Sequence, residues 1–333
     1  TLCLLLLTLV MLVPGALTGS GATTVLMVGT LVASVLETMG VTEHRRIAIV
    51  YLLACMSAVA PPVNLWAMMA AAGANMPYVG FGKPLLILSI TGAVFTMFYL
   101  AGRGGSINLE KVLKQLPEAP EGWNWTRVFA PFITIAVLVL GGRLFPFSFP
   151  VVGLPLMFMI SALVTVIVSP VKLHIMETAG KTVKNLLGLV GIMIVVGGLI
   201  QVMALTGARG LISLAVVTLP LQILFFTLWI ILPVSEGLVQ YAAAPLLGVP
   251  LIMLFNMKGL DPVVSLSAWT LMFVLGDCLP PTAVVGRAAV IELKYKGRYY
   301  ADFVRSCIVP FLFISLISTL FLFYSNNLAF LGR

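Results

Sequence analysis

Long apolar runs separated by short polar turns occupy most of this chain. They fall at about residues 1–14, 22–39, 46–60, 63–73, 84–100, 128–145, 149–169, 185–205, 210–232, 238–256, 264–279 and 302–325. Within them apolar residues do not alternate with polar ones, so they read as helices and not as barrel strands. A spanning helix needs roughly 20 apolar residues, and several runs are shorter than that. Two of the short ones end at a double proline: Ala48 to Ala60 at Pro61-Pro62, and Val264 to Leu279 at Pro280-Pro281. Proline has no N–H and clashes with the preceding turn, so each pair predicts a broken helix. In lipid, the backbone groups freed at a break are tolerated only inside protein or beside a water-filled cavity.

The most polar stretch, 101–126, carries charges with glycines and prolines at its ends, and predicts a linker with a short interfacial helix over 107–116. Trp123 and Trp125 fit interfacial aromatic anchors. Residues 170–184 predict an amphipathic helix lying on the membrane, with His174 among apolar neighbours.

Composition fixes the solvent. The chain is 61% hydrophobic and 9% charged, with mean hydropathy +1.14. Soluble domains are about a quarter charged. No fold of 333 residues hides so much apolar surface from water, so the expected class is an all-α polytopic membrane protein. The net charge of +8 is scattered over short loops (Arg45, Arg46, Lys111, Lys114, Lys181, Lys184, Lys294 to Arg298). Such loops set topology and do not suggest nucleic-acid binding. Cys3, Cys55, Cys278 and Cys307 lie in or beside apolar runs and form no CxxC pair, which suggests free buried thiols.

The order of features repeats. A small polar turn (Thr18 to Gly21), an apolar segment, a polar turn (His44, Arg45, Arg46), a short helix, a double proline, a short helix and a long helix make up the first half. The second runs through Pro233, Ser235, Glu236 and Gly237, an apolar segment, Lys258 and Asp261, a short helix, a double proline, a short helix and a basic loop, to a long helix ending near 325. Interrupted apolar segments in corresponding positions point to a secondary transporter. The expected organisation is a first repeat over 1–100, the linker over 101–126, scaffold helices and the interfacial helix over 127–184, and a second repeat over 185–333. The repeats are expected to be inverted, each with a re-entrant hairpin. Two long segments precede the second half's turn but only one, 1–14, precedes the first, so a helix upstream of Thr1 is expected.

GALTGSGATTVLMVGTL (15–31), AVAPPVNLW (58–66) and LMFVLGDCLPPTAVVGRAA (271–289) resemble the large membrane subunit of tripartite ATP-independent periplasmic (TRAP) transporters, within the ion transporter superfamily. The resemblance covers about residues 15 to 325. SEGLVQYAAAP stands where that family often has an Asp-Thr-Ala-like pattern, and Leu279 and Thr282 flank the second double proline. The resemblance implies an elevator transporter of the bacterial inner membrane, coupled to Na⁺. It also implies a small four-helix membrane subunit and a periplasmic substrate-binding protein that delivers an organic acid. No other cofactor is implied.

The residues offer chemistry of the same kind. Unwound carbonyls and helix C-termini suit cations, helix N-termini suit carboxylates, and Na⁺ prefers hard oxygen ligands. Thr18, Gly19, Ser20 and Gly21, with the backbone at Ala60 and Pro61, form the first candidate ion site; close packing through small residues is the competing account. Glu236 and Asp277 are the acids of the second half's central apolar parts, and intramembrane acids are functional candidates by default. Na⁺ is expected at Ser20 and Asp277. Thr23, Asn64, Ser235, Thr282 and Arg287 are the substrate-site candidates. Arg287 suits a bidentate carboxylate clamp, or alternatively pairs with Asp277 or points outward. Asn64 could alternatively be a helix cap.

A carrier of the same superfamily that works without a binding protein is the main alternative. A channel would call for pore-lining symmetry across subunits. An enzyme is disfavoured, because the two histidines lie near loops and neither HExxH nor GxSxG occurs. There is also no phosphate-binding loop for ATP.

Overall fold

The computed structural model describes residues 1–102, 122, 124–144, 153–218 and 220–332. The linker helix expected over 107–116 and the anchor Trp123 lie outside these. Every regular element among the described residues is helical. Four stretches are long and apolar enough to cross a membrane: Gly21–Thr38, Gly82–Ala101, Gln222–Met257 and Tyr299–Phe323.

The chain forms two compact units, residues 1–113 with 193–333, and residues 114–192. In the first unit, α1 (Leu2–Thr18) ends at Gly19, whose φ of 68° gives the left-handed cap that only glycine adopts without strain. Ser20 then caps α2 (Gly21–Thr38) by accepting from the Thr23 N–H. A π-helical turn, Val25–Gly29, lies within α2. Both α1 and α2 lie against α3 (Glu43–Val59), so the chain reverses at Gly19-Ser20. Gly21 lets the α2 backbone approach the Ala54 carbonyl; a Cβ there would stand 2.9 Å from that oxygen. After Pro61-Pro62 the chain continues as α4 (Leu65–Gly73) and α5 (Gly82–Ala101).

In the second unit, α6 (Trp125–Leu144) packs on α7 (Leu154–Val168). The Ser161 hydroxyl donates to the Pro131 carbonyl at 2.9 Å. The stretch expected to lie on the membrane over 170–184 is not a separate helix. From Ile175 it is the start of α8 (Ile175–Leu205), 31 residues long. No proline or left-handed residue interrupts it there, so the helix continues.

The first unit resumes with α9 (Ala208–Thr218) and α10 (Leu221–Val239). The second turn comes later than its residues suggest. Pro233, Ser235, Glu236 and Gly237 stay helical, and the chain bends at Gln240, with φ 51° and ψ −137°. A 3-10 turn, Gln240–Ala242, leads into α11 (Ala243–Met257). Asp261 caps α12 (Pro262–Val274) through the Val264 N–H at 2.9 Å. The second break is followed by α13 (Val284–Glu292) and α14 (Tyr299–Phe323), which opens with a π-helical turn, Tyr299–Val304. Both Pro–Pro bonds are cis.

Backbone details recur at one spacing. Gly40 and Gly259 have φ of 76° and 74°, and Asn75 and Lys294 have φ of 54° and 50°. The Val41 N–H bonds the Leu36 carbonyl as the Leu260 N–H bonds Phe255, and Met76 bonds Ala71 as Tyr295 bonds Val290. Each pair is 219 residues apart, as are Cys55 and Val274, which touch through a thiol-to-carbonyl contact of 3.3 Å. Across the interface Tyr51 reaches Leu275, Cys55 reaches Val274 and Asn64 reaches Thr270, so α3 and α12 run in opposite directions.

Packing joins the halves crosswise. α11 packs on α4, and α2 packs on α13. Gly248 admits Trp269 and Ala70, and Gly73 admits Val249. In lipid such contacts rest on close van der Waals fit more than on water exclusion. Trp66, Trp269, Tyr51 and Phe273 are wholly buried at the centre.

Candidate functional site

The two chain reversals and the two broken helices meet in the middle of the first unit. Each break is tied to the hairpin of its own half. The Val63 N–H donates to the Ala16 carbonyl at 3.1 Å, and the Thr282 N–H to the Gly237 carbonyl at 3.2 Å. The turn at Gly19 meets the first break at Val63 and Leu65, one and three residues beyond the prolines themselves.

The first break is closed by neutral groups. Asn64 is fully buried and bonds three ways: Oδ1 accepts from the Ala67 N–H at 3.0 Å, and Nδ2 donates to the Val59 carbonyl at 3.1 Å and the Thr270 hydroxyl at 3.2 Å. It therefore caps α4 and bridges the gap at once. The Tyr78 hydroxyl donates to the Pro62 carbonyl at 3.3 Å. Burial pushes the Tyr78 phenol up to about 12, so it keeps its proton and remains a donor.

The second break has no side-chain cap. Ala283, at φ 45°, occupies the position before α13. The break is held by the Thr282 hydroxyl on the Gly237 carbonyl at 2.9 Å, the Tyr299 hydroxyl on the Cys278 carbonyl at 3.0 Å, and the Gly286 N–H on the Asp277 carbonyl at 3.1 Å. Arg287 is exposed and donates Nη2 to the Pro281 carbonyl at 2.9 Å. It makes no pair with Asp277.

Glu236 and Asp277 dominate the electrostatics. Both are fully buried, and all four carboxylate oxygens lack a hydrogen-bond partner. The two acids are close enough to interact with one another. The ion pairs among the described residues are Arg46–Glu37, Lys181–Glu177 and Arg298–Asp302, and none reaches the pair. The Trp66 indole N–H has no bonded acceptor and faces Glu236. Tyr241 lies against Trp66 with ring centroids 4.8 Å apart and planes tilted by 38°, and its hydroxyl lies near Ser20, Glu236 and Asp277. The side-chain oxygen of Gln240 is also buried and unpartnered. An unpaired ionised carboxylate costs several kcal/mol to bury, so the pair either carries a compensating cation or sheds charge by binding a proton.

The remaining candidates divide by position. The Thr18 hydroxyl donates to the Pro14 carbonyl, and the Ser20 hydroxyl accepts from Thr23, so both also shape the turn. Gly21 and Ala60 are buried in the junction, and Thr23 and Pro61 are half-buried. Ser235 donates back to the Leu232 carbonyl at 2.7 Å within its own helix. Thr282 sits at the second break, and Arg287 at its outer side. The places of Tyr51, Cys55, Trp66, Tyr241 and Thr270 around the breaks escaped sequence reading, because an apolar run gives no sign of which members face the buried centre. The 219-residue spacing of the prolines was the usable signal, since it also sets Cys55 against Val274.

The sequence matches no known protein-family profile and no curated protein.

Proposed function

We propose that this protein is the membrane subunit of a cation-coupled secondary transporter, with Na⁺ as coupling ion and an organic acid as substrate. The observation that carries the reading is the Glu236–Asp277 pair, wholly buried and unpaired beside two helix breaks. Two adjacent carboxylates in a low-dielectric interior ionise together only with a compensating cation. Hard oxygens are nearby: the Ser20 and Tyr241 hydroxyls, the Gln240 side-chain oxygen and the carboxylates themselves. Glu236 and Asp277 hold the cation, with Ser20 contributing from the opposite turn.

Two inverted repeats related by 219 residues account for the recurring turn bonds and left-handed residues. The antiparallel contact of α3 with α12 supports the inversion. Residue pairs that touch while being 219 apart lie near the relating axis, so both breaks fall at the centre, where such transporters bind ions and substrate. An elevator motion, a small four-helix partner and a delivering binding protein belong to this reading through the TRAP resemblance. Arg287, with one nitrogen on the Pro281 carbonyl, stands at the outer edge, where it meets the substrate carboxylate.

Uptake of a panel of organic acids into proteoliposomes, with and without an inward Na⁺ gradient, tests the reading. Gradient-dependent uptake is expected, and Asp277→Asn should raise the Na⁺ concentration needed for half-maximal uptake. Uptake indifferent to Na⁺ in both proteins overturns the coupling. No uptake of any acid, with Na⁺ still bound by the protein, overturns the substrate class.

A further inference from the structure

An apolar crevice of about 340 Å³ lies beside the second break, between α3, α10, the break and α14. Its walls include Leu52, Trp229, Leu279, Val304, Cys307 and Phe311. The volume falls at the lower end of those that take small ligands, roughly 300–1,000 Å³. Such pockets usually place a few polar groups to orient a ligand, and this one offers almost none. The Tyr51 hydroxyl at its wall already donates to the Leu275 carbonyl at 2.9 Å. The Trp229 indole N–H is spent on the Thr319 hydroxyl at 2.6 Å. An occupant is therefore apolar along its whole buried length, with any polar end left outside.

The mouth shows where that occupant comes from. Ile230 is 68% exposed, and Val234, Ile308 and Leu312 are 44–49% exposed. All four also line the crevice. On a chain whose surface is solvated by hydrocarbon, the crevice opens into the acyl layer. Lipid chains are the abundant apolar rods there, and their headgroups remain at the interface.

We infer that this crevice takes an acyl chain from the surrounding bilayer, which props the second break. The chain would touch Leu275, Cys278 and Leu279 directly, the residues through which α12 enters the break. A lipid so placed fills what would otherwise be a void beside the least self-sufficient backbone of the core. This assignment needs only the membrane setting, not the transport reading.

Trp229 provides the probe. Purified protein would be reconstituted in phosphatidylcholine vesicles with acyl chains brominated or unbrominated. Subtracting the emission of Trp229→Phe isolates the contribution of Trp229. Brominated chains should quench that contribution. Cys307→Phe, which fills the crevice from inside, should restore it, and Cys307→Leu and Val304→Leu serve as smaller fillings should the larger one fail to fold. Equal quenching in wild type and a folded filled variant means the chain lies only outside, and overturns the assignment. Absence of quenching in the wild type also overturns it, since the crevice is then empty or occupied by protein.

Discussion

The two helix breaks share their backbone but not their chemistry. At Pro61-Pro62 a single buried asparagine caps the following helix, accepts from Ala67, and donates across the gap to Val59 and across the interface to Thr270. At Pro280-Pro281 the corresponding residue is Ala283, which offers no cap, and the break depends on Thr282 bonding to the Gly237 carbonyl and on Arg287 and Tyr299 further along the chain. A fully buried carboxylate, Asp277, accompanies the second break, while Ala58 stands 219 residues before it. One geometry thus serves two ends. The first break is complete in itself, and the second keeps charge, exposure and an adjacent crevice available.

Removing the asparagine should have the largest effect. Asn64→Ala deletes a cap, worth about 0.5–2 kcal/mol, and leaves the Val59 carbonyl buried without its partner, a further 1–3 kcal/mol or so. Thermal unfolding in detergent should show a loss of about 2–4 kcal/mol relative to wild type. A loss no greater than that of a surface substitution would mean that the first break does not depend on its cap.

Close approach provides the next contrast. A Cβ on Gly276 would stand 1.9 Å from the Pro233 carbonyl oxygen, a backbone atom, whereas one on Gly73 would meet a Val249 methyl group at 2.7 Å. A side chain can rotate away and a carbonyl in a helix cannot. Gly276→Ala should therefore cost about 1–3 kcal/mol and Gly73→Ala less, by the same unfolding measurement. Equal costs would remove the distinction between the two junctions.

Thr282→Val should cost about 1 kcal/mol, the worth of one hydrogen bond to the Gly237 carbonyl. The buried acids should behave in the opposite sense. Because neither carboxylate has a partner to lose, Glu236→Gln and Asp277→Asn should fold as well as wild type or better without Na⁺. The same variants should lose the stabilisation that added Na⁺ gives the wild-type protein, read as a shift of unfolding temperature against Na⁺ concentration. A Na⁺ response unchanged in both variants would leave the acids without the role proposed. The smallest effect is expected at Arg287→Lys, an exposed residue where substitutions stay within about 0.5 kcal/mol. Its effect should appear instead as a higher organic-acid concentration for half-maximal uptake, since lysine keeps the charge but not the planar fork.

Much of this architecture could be read directly from residue order. Apolar runs without alternation require helices in lipid, double prolines require breaks, and Gly19-Ser20 requires a turn, because these constraints act within a few residues of backbone. The positions of α2, α3, α5 and α14 follow from them closely. Where local rules compete, tertiary packing decided the outcome. Pro233 and Gly237 suggest a turn by composition, yet helix α10 carries through both and bends at Gln240, since tertiary packing overrides local turn preference. The polar opening of α8 reads as a separate surface helix, yet the backbone simply continues. The acids Glu236 and Asp277 stood out in the sequence because charge is rare in apolar runs. What the sequence alone could not determine is that they lie together, face Trp66 and Tyr241, and find no base among the described residues, with Arg287 turned to the Pro281 carbonyl instead. Composition determines how much charge a membrane interior must accommodate. Which charges meet depends on contacts between segments distant in the chain, and only the packed chain brings those together.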